Sequence, residues 1–331
     1  MGTALVIIPA MNTIWAIIFL AAGLLILWKS ADLLVSGAVK LAEHLGVSPL
    51  VIGLTVVAMG TSAPEVAASI AAALRGQGDV AIGNVYGSNI ANLALVGGLA
   101  ALIRPLSIKK RTLWFEIPVM LLVALLLWPV LHNLNLSRTE GVALLAVFAV
   151  LILVTVFTAR KEEHNSTSTQ EDEATRTRNA KKSLLFVAIG LAGLALGAEG
   201  TVRGAVFIGD RIGFSKAVIG LTIIAIGTSL PELATCVVAA VKGQHDISIG
   251  NLVGSNVFNT LLVVGTAGVV RPFGIVQRLA GVDYWIMIIV SAGFASLALI
   301  GRRVIGRAAG IVLLSGYAGF IVYLLVYTPG V

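Results

Sequence analysis

The sequence predicts an all-α polytopic membrane protein with ten transmembrane helices, arranged as two inverted five-helix repeats. Three observations predict this fold class. Hydrophobic residues make up 58% of the 331 residues and charged residues only 12%, well below the roughly 25% charged residues of an average soluble domain. The apolar runs are about 20 residues long or longer, which is the length that crosses a bilayer core. The third observation is that the two halves of the chain match each other in sequence.

Ten apolar runs follow one another along the chain, and each predicts one span. The first five predicted spans are residues 14–39, 49–74, 80–103, 113–131 and 139–158, and the second five are 184–208, 217–241, 247–270, 282–300 and 308–327. Between the two sets, residues 159–182 are rich in Ser, Thr and charges without apolar periodicity, which predicts a flexible linker. The predicted units are therefore residues 1–158, the linker 159–182, and residues 183–331.

The distribution of basic residues predicts the orientation. Loops on the face that carries the linker hold 15 Lys and Arg, and loops on the opposite face hold six. Because positive loops stay in the cytoplasm, the linker is expected there and both termini outside, in a cell (inner) membrane. The same scattering of basic residues between apolar runs argues against a nucleic-acid partner. No Lys or Arg precedes Lys29, so a cleaved signal peptide is not expected.

The internal repeat is a gapless match of the sequence to itself, in a register that places Gly53 on Gly220. Between Gly53 and Ile108, 29 of 56 positions are identical to their partners in the second half. Each unit holds five spans, an odd number, so the second unit must enter the membrane upside down relative to the first. Inverted repeats of this kind are typical of secondary transporters, which bind substrate near mid-membrane where the two copies face each other.

The most informative string in each half is Gly-Thr-Ser-x-Pro-Glu, which ends at Glu65 and again at Glu232. An ionised carboxylate at mid-bilayer costs at least ~2.5 kcal/mol and needs a partner, yet predicted spans 2 and 7 contain no Lys or Arg. Pro64 and Pro231 each remove a backbone hydrogen bond and push aside a carbonyl. Carboxylates, hydroxyls and freed carbonyls together form an all-oxygen ligand set, which hard cations such as Ca²⁺ and Na⁺ prefer.

A second string, Gly-Asn-x-x-Gly-Ser-Asn-x-x-Asn, lies in predicted spans 3 and 8. Ser88 and Asn92 are four residues apart, as are Ser255 and Asn259, so each pair shares one helix face. For any single Asn or Ser in these strings, a hydrogen bond between helices is an equally good interpretation. A glutamate beside a helix break in both halves is better explained by a bound cation.

The paired GTSAPE and GTSLPE strings, together with the paired GSNIAN and GSNVFN strings, resemble the α-repeats of the calcium/cation antiporter superfamily. The resemblance is nearest to the prokaryotic sodium/calcium exchangers and covers both repeats. It implies that Glu65 and Glu232 are the central Ca²⁺ ligands and also serve Na⁺. It implies further ligands, which in chain order are Ala58 (carbonyl), Thr61, Ser62, Ser88, Ala225 (carbonyl), Thr228, Ser229 and Ser255. Asn92 and Asn259 complete the central group of four.

The sequence differs from some members of the family at the two asparagines. Some members of the family carry Asp in place of Asn92 or Asn259, and potassium-dependent exchangers typically have one. With Asn at both positions, the site charge is −2, which one Ca²⁺ neutralises. This argues against potassium transport.

Asp32 and Glu199 are matched in the same register and lie in predicted spans 1 and 6, which slide as the gate in the family. Lys29 and Arg203 stand three and four residues from them in sequence, so they are expected to be helical ion-pair partners. A structural ion pair is the preferred interpretation over direct contact with the ions.

The sequence therefore favours a secondary antiporter that exchanges Na⁺ for Ca²⁺ by alternating access, with no cofactor, the ions bound as substrates, and a monomer in the lipid bilayer. An H⁺-coupled antiporter of Ca²⁺ or another divalent cation is the alternative, since mid-membrane carboxylates also release protons. A passive channel is a further possibility that counter-ion dependence would exclude. An enzyme is not expected, because the predicted spans offer no nucleophile, base and orienting group.

Overall fold

The computed structural model describes residues 12–163, 173–213 and 225–327. Within them the chain is helical almost throughout. The helices of the first half are α1 (Thr13–Leu45), α2 (Pro49–Thr61), α3 (Ala63–Leu74), α4 (Gly78–Ile103), α5 (Thr112–Leu131) and α6 (Arg138–Glu163). Those of the second half are α7 (Glu173–Arg211), α8 (Ala225–Thr228), α9 (Leu230–Val241), α10 (His245–Val270), α11 (Leu279–Ile300) and α12 (Arg307–Tyr327).

Eight helices among the described residues are long and apolar enough to cross a membrane, or nine if the bent pair α2 and α3 forms one span. This confirms an all-helical, multi-pass membrane fold. The predicted count of ten stays a prediction: of predicted span 7, residues 217–224 lie outside the described residues, and its described part includes the shorter apolar helix α9.

Large apolar side chains on the outer helices face away from the protein. Phe157 is 66% exposed, Leu196 is 70% exposed and Ile300 is 79% exposed. Such surface would be costly in water, whereas lipid tails are as apolar as these side chains. Polar residues show the reverse pattern, because α4 and α10, which carry the Gly-Ser-Asn strings, are the most deeply buried spans.

α1 and α7 pack against each other along most of their lengths. Their contacts run from Gly204 against Ala16 at one end to Gly37 against Ser183 at the other, so the two helices are antiparallel. At Gly23, an added Cβ would lie 2.5 Å from the backbone nitrogen of Thr201. Small residues therefore allow this close packing, as they do between membrane helices generally.

Short strands join loops of the two halves, a feature that could not be predicted from the apolar pattern of the sequence. β1 (Leu106–Ser107) pairs antiparallel with β4 (Val304–Ile305), and β2 (Asn135–Leu136) pairs antiparallel with β3 (Phe273–Gly274). Beside these strands, two arginines at equivalent positions of the repeat make the same contact. Arg104 donates to the carbonyl of Val241 at the end of α9 (2.9 Å), and Arg271 donates to that of Leu74 at the end of α3 (2.6 Å).

The polar stretch predicted to be a flexible linker is helical where it is described. α6 continues to Glu163 and α7 already begins at Glu173, while residues 164–172 lie outside the described residues. Extending an existing helix needs no new nucleus, and the Glu, Lys, Arg and Ala of this stretch are good helix formers. The linker bounds 159 and 182 and the flexibility of this stretch stay predictions.

Candidate cation-binding site

Two helix breaks form the frame of the site. α2 and α3 are bent by 44° relative to each other, and Ser62 lies between them with φ −82° and ψ 5°. Ser229 lies between α8 and α9 with nearly the same angles, φ −89° and ψ 6°. Pro64 and Pro231 stand in the first turn after each break, where a missing N–H is tolerated. The breaks predicted from the proline positions are therefore present.

Glu65 and Glu232 each lie in the first turn after a break, at the N-terminal ends of α3 and α9. Both side chains are 0% exposed. The partial positive charge of a helix N-terminus favours a carboxylate at this position, but it does not supply a full counter-charge. Within the described part of the chain, neither carboxylate forms a salt bridge with a Lys or Arg side chain.

Hydroxyl groups connect the two glutamates to the opposite break and to α4. Ser62 donates from its Oγ to Glu232 Oε1 over 3.3 Å, which links the first break to the second carboxylate. Ser88 of α4 donates from its Oγ to Glu65 Oε1 over 3.4 Å. The structure therefore brings both predicted acids and two of the predicted hydroxyl ligands into one buried cluster.

The other predicted side chains are buried polar groups with incomplete hydrogen bonding. Ser255, Asn92 and Asn259 are 0% exposed, and Ser229 is 1% exposed. Buried polar atoms normally have partners, but several here have none within the described residues: Glu65 Oε2, Glu232 Oε2, Ser229 Oγ, Ser255 Oγ, and the side-chain N and O of Asn92 and Asn259. This concentration of uncompensated oxygens suits a hard cation.

The structure gives less direct support to the remaining predicted ligands of the ion. The carbonyl of Ala58 accepts from the backbone N–H of Ser62 (3.0 Å) and lies 3.3 Å from Thr61 Oγ1, so the break does not leave this carbonyl free. Thr228 is half-buried and stands directly before the second break. Ala225 is the first residue of α8, and the role of its carbonyl as a ligand stays a prediction.

α4 and α10 depart from regular α geometry beside the site. π-helical segments occupy Ala91–Val96 and Asn259–Val263, and so contain Asn92 and Asn259. Segments of this kind are rare and occur mostly at functional sites. They are a structural feature that sequence periodicity did not reveal.

Asn251 belongs to the second repeated string but was not predicted as a site residue. Its Oδ1 accepts a hydrogen bond from Thr61 Oγ1 over 3.1 Å, across the two halves, and its Nδ2 donates to Cys236 Sγ over 3.3 Å. Its counterpart Asn84 donates to the carbonyl of Glu65 (3.3 Å) and to Ser69 Oγ (2.9 Å). The two asparagines therefore position the broken helices, and their occurrence in both repeats was the signal that could have identified them.

The two gate-helix acids have different kinds of partner. Glu199 pairs with Arg203 on the same helix at 2.5 Å, as predicted. Asp32 does not pair with Lys29; its Oδ1 lies 2.6 Å from Nζ of Lys242, at the end of α9. The expected pairing of Asp32 with Lys29 was wrong, because spacing along one helix cannot reveal a partner that is distant in sequence.

The sequence matches the family model described as sodium/calcium exchanger protein over residues 15–157 and again over residues 182–326. Among curated proteins, it is 41% identical over 309 residues to the inner membrane protein YrbG of Escherichia coli (strain K12), covering 92% of this chain and 94% of that protein. It is 32% identical over 342 residues to the sodium/calcium exchanger MaX1 of Methanosarcina acetivorans, covering 93% of this chain and 97% of that protein.

The fold also resembles a solved structure. The sodium-calcium exchanger NCX_Mj, from a crystal soaked with 10 mM Na⁺ and zero Ca²⁺, superposes with a TM-score of 0.81 at 31% sequence identity. The likeness covers 95% of this chain and 99% of that chain.

Proposed function

Since the chain belongs to the sodium/calcium exchanger protein family, we propose that it is a secondary antiporter that exchanges Na⁺ for Ca²⁺ across the membrane by alternating access. The family is one of exchangers rather than enzymes, and its ions are bound as substrates. The observation that carries the proposal is the pair Glu65 and Glu232. Both are fully buried in the first turns after two helix breaks, and the Ser62 hydroxyl connects the first break to the second carboxylate.

The charge of the site fits this exchange. Two ionised carboxylates contribute −2, which is balanced by one Ca²⁺ or by two Na⁺. Both ions take oxygen ligands, and Ca²⁺ accepts six to eight of them in flexible geometry. Competition between the two ions for the same carboxylates would then couple the movement of one to that of the other.

We assign the ligands as follows. Glu65 and Glu232 hold the divalent cation centrally and also serve Na⁺. Neutral oxygens complete the ion sites, and the residues that would supply them are Ala58 and Ala225 (carbonyls), Thr61, Ser62, Ser88, Thr228, Ser229, Ser255, Asn92 and Asn259. The uncompensated atoms of Ser229, Ser255, Asn92 and Asn259 support this assignment.

The proposed architecture is ten spans in two inverted repeats, residues 1–158 and 183–331, joined by a cytoplasmic segment at 159–182, with both termini outside. Support comes from contacts that recur at equivalent positions of the two halves, such as those of Arg104 and Arg271 with the ends of α9 and α3. An inner-membrane location is supported by the basic-residue bias and by the name of the relative YrbG. The proposed oligomeric state is a monomer.

The test is Ca²⁺ uptake by Na⁺-loaded proteoliposomes diluted into Na⁺-free medium. Uptake should depend on the outward Na⁺ gradient and fall to background in Glu65→Gln and in Glu232→Gln. Glu43→Gln is the matched control, because Glu43 is an exposed acid near the end of α1, and it should transport normally.

Two results would decide against this function. Uptake that persists in the double variant of Glu65 and Glu232 would remove the proposed site. Uptake that ignores Na⁺ but collapses with a proton ionophore would replace Na⁺ by H⁺ as the driving ion.

A further inference from the structure

Lys242 connects the end of α9 to α1. It directly follows the last residue of α9, the helix that begins with Glu232. Its Nζ lies 2.6 Å from Asp32 Oδ1 and donates to the Asp32 carbonyl (3.2 Å) and to Ser36 Oγ (2.8 Å). Three contacts from one ammonium group therefore attach α1 to the helix that carries one of the central carboxylates.

The equivalent residues of the other half are not paired in this way. The register of the internal repeat places Arg75 on Lys242, Glu199 on Asp32, and Arg203 on Ser36. Arg75 directly follows the last residue of α3 and is exposed, and its side chain has no ion pair or hydrogen bond among the described residues. Glu199 is paired with Arg203 of its own helix instead.

The packing of the helices also differs between the two halves. α1 lies along α9, where Val35 and Ala38 share an apolar cluster with Val238 and Ala239. α7 makes no comparable contact with α3 within the described ranges. Ala67 of α3 is accordingly exposed, whereas its equivalent, Ala234 of α9, is half-buried in that cluster.

α1 and α7 pack too closely to separate easily, so they are expected to move as one unit over the rest of the bundle. A displacement that brought α7 onto α3 would withdraw α1 from α9, and it would carry Glu199 toward Arg75. In transporters built from inverted repeats, alternating access comes largely from rigid-body movement of one part of the protein against the other around a fixed site.

We propose that Asp32–Lys242 and Glu199–Arg75 are alternative ion pairs, each formed in one of the two access states. The first holds α1 against α9 and closes the side on which Lys242 lies, which is cytoplasmic in the proposed orientation. The second holds α7 against α3 and closes the opposite side. Arg203 competes with Arg75 for Glu199, so it favours the state seen in this structure. This inference rests on the proposed alternating access, but not on which ions are carried.

The strength of these pairs suits such a role. The side chain of Lys242 is 31% exposed and that of Asp32 is 49% exposed, so each pair should change the ratio of the two states by about two- to fivefold. Contacts of this size bias an equilibrium without locking it, and a transporter must pass through both states in each cycle.

The experiment measures state populations directly, by the rate at which an impermeant maleimide labels single cysteines in nanodiscs. The background is Cys236→Ser, because Ser69 occupies the equivalent position in the first half. Ala67→Cys reports access to α3, and Ala234→Cys reports access to α9. Labelling is measured without any transport, so the labelling rates do not depend on whether Na⁺ or H⁺ drives exchange.

Lys242→Gln should slow labelling at position 67 and speed it at position 234, so that the ratio of the two labelling rates changes by about two- to fivefold. Arg75→Gln should shift both rates in the opposite direction, and Arg203→Gln should act like Lys242→Gln. The charge exchange Asp32→Lys with Lys242→Asp restores the ion pair but not the two hydrogen bonds of the ammonium group, so it should move both rates back toward the parent values. Lys40→Gln, which removes an exposed charge from α1, should change neither rate.

The proposal is overturned if Lys242→Gln and Arg75→Gln shift labelling in the same direction, or if neither shifts it. Opposite shifts combined with Na⁺-independent Ca²⁺ uptake would keep the alternative ion pairs and refute the proposed exchange. Na⁺-dependent Ca²⁺ uptake with no shift in labelling would keep the proposed exchange and refute the alternative ion pairs.

Discussion

The hydroxyl of Ser62 donates to Glu232 over 3.3 Å, although the two residues are 170 positions apart in sequence. Ser62 forms the break between α2 and α3, and Glu232 lies in the first turn of α9. The contact therefore links the helix break of one half to the carboxylate of the other. Any ion held by Glu232 should also be sensitive to the geometry of the first break.

Ser62→Ala should weaken Ca²⁺ binding by about tenfold, because it removes a proposed oxygen ligand of the ion, and one polar contact to a charged group is worth about 1.5 kcal/mol at the weaker end of its range. Calorimetric titration of the purified protein with Ca²⁺ measures this. Ser291→Ala is the control, since the buried Ser291 hydroxyl donates to the carbonyl of Met287 within α11 and has no other hydrogen bond among the described residues. Equal affinities of the Ser62 variant and the parent would contradict the assignment of this hydroxyl to the site.

Asn251→Ala should reduce Ca²⁺ affinity by about three- to tenfold, the loss expected for one neutral hydrogen bond. The reason is indirect: Asn251 accepts from the Thr61 hydroxyl and so orients it. A double-mutant cycle with Thr61→Val, measured by the same titration, should show that the two losses are not additive. Independent, additive losses would mean that Asn251 does not act through Thr61.

Asn259→Asp should make Ca²⁺ transport dependent on an accompanying monovalent cation. Asn259 is fully buried, so a third carboxylate would leave one negative charge that Ca²⁺ alone does not balance, and a buried unpaired charge costs several kcal/mol. The measurement is Ca²⁺ uptake as a function of K⁺ and Na⁺ on the Ca²⁺ side.

Asn92→Asp tests the same idea in the other half, where Asn92 is also fully buried. The control is Asn133→Asp, because Asn133 is exposed and the new acid is not buried, as it would be in Ser291→Asp. This variant should leave the monovalent-ion dependence unchanged. Parent-like uptake in both buried variants would place these asparagines outside the ion path.

Gly23→Ala should destabilise the packing of α1 on α7 by about 1–3 kcal/mol, the usual cost of overfilling a packed interface. The added Cβ would lie 2.5 Å from the backbone nitrogen of Thr201, which cannot move aside without shifting the helix. Gly200→Ala is the matched control, because its Cβ would meet its nearest atom, the carbonyl oxygen of Phe19, at 3.5 Å, an ordinary contact. Thermal unfolding in detergent should show a lower midpoint for the first variant only.

Positions of most helices could be predicted from the sequence because burial in lipid requires long apolar runs with few charges. The predicted span at 80–103 corresponds to the helix Gly78–Ile103, and the span at 113–131 to Thr112–Leu131. The ends of α6 and α7 were less predictable. Polar residues continue these helices beyond their apolar part, and apolar periodicity gives no signal there.

The sequence by itself determined the two broken helices, their prolines and their buried acids, since a proline and a carboxylate in an apolar run have few physical explanations. Only the tertiary structure decided which groups meet: Ser62 with Glu232, Thr61 with Asn251, and Lys242 with Asp32. Local patterns reach three or four residues along one helix, whereas these contacts join groups that lie in different halves of the chain. Such residues come within hydrogen-bond distance only when the two halves pack against each other.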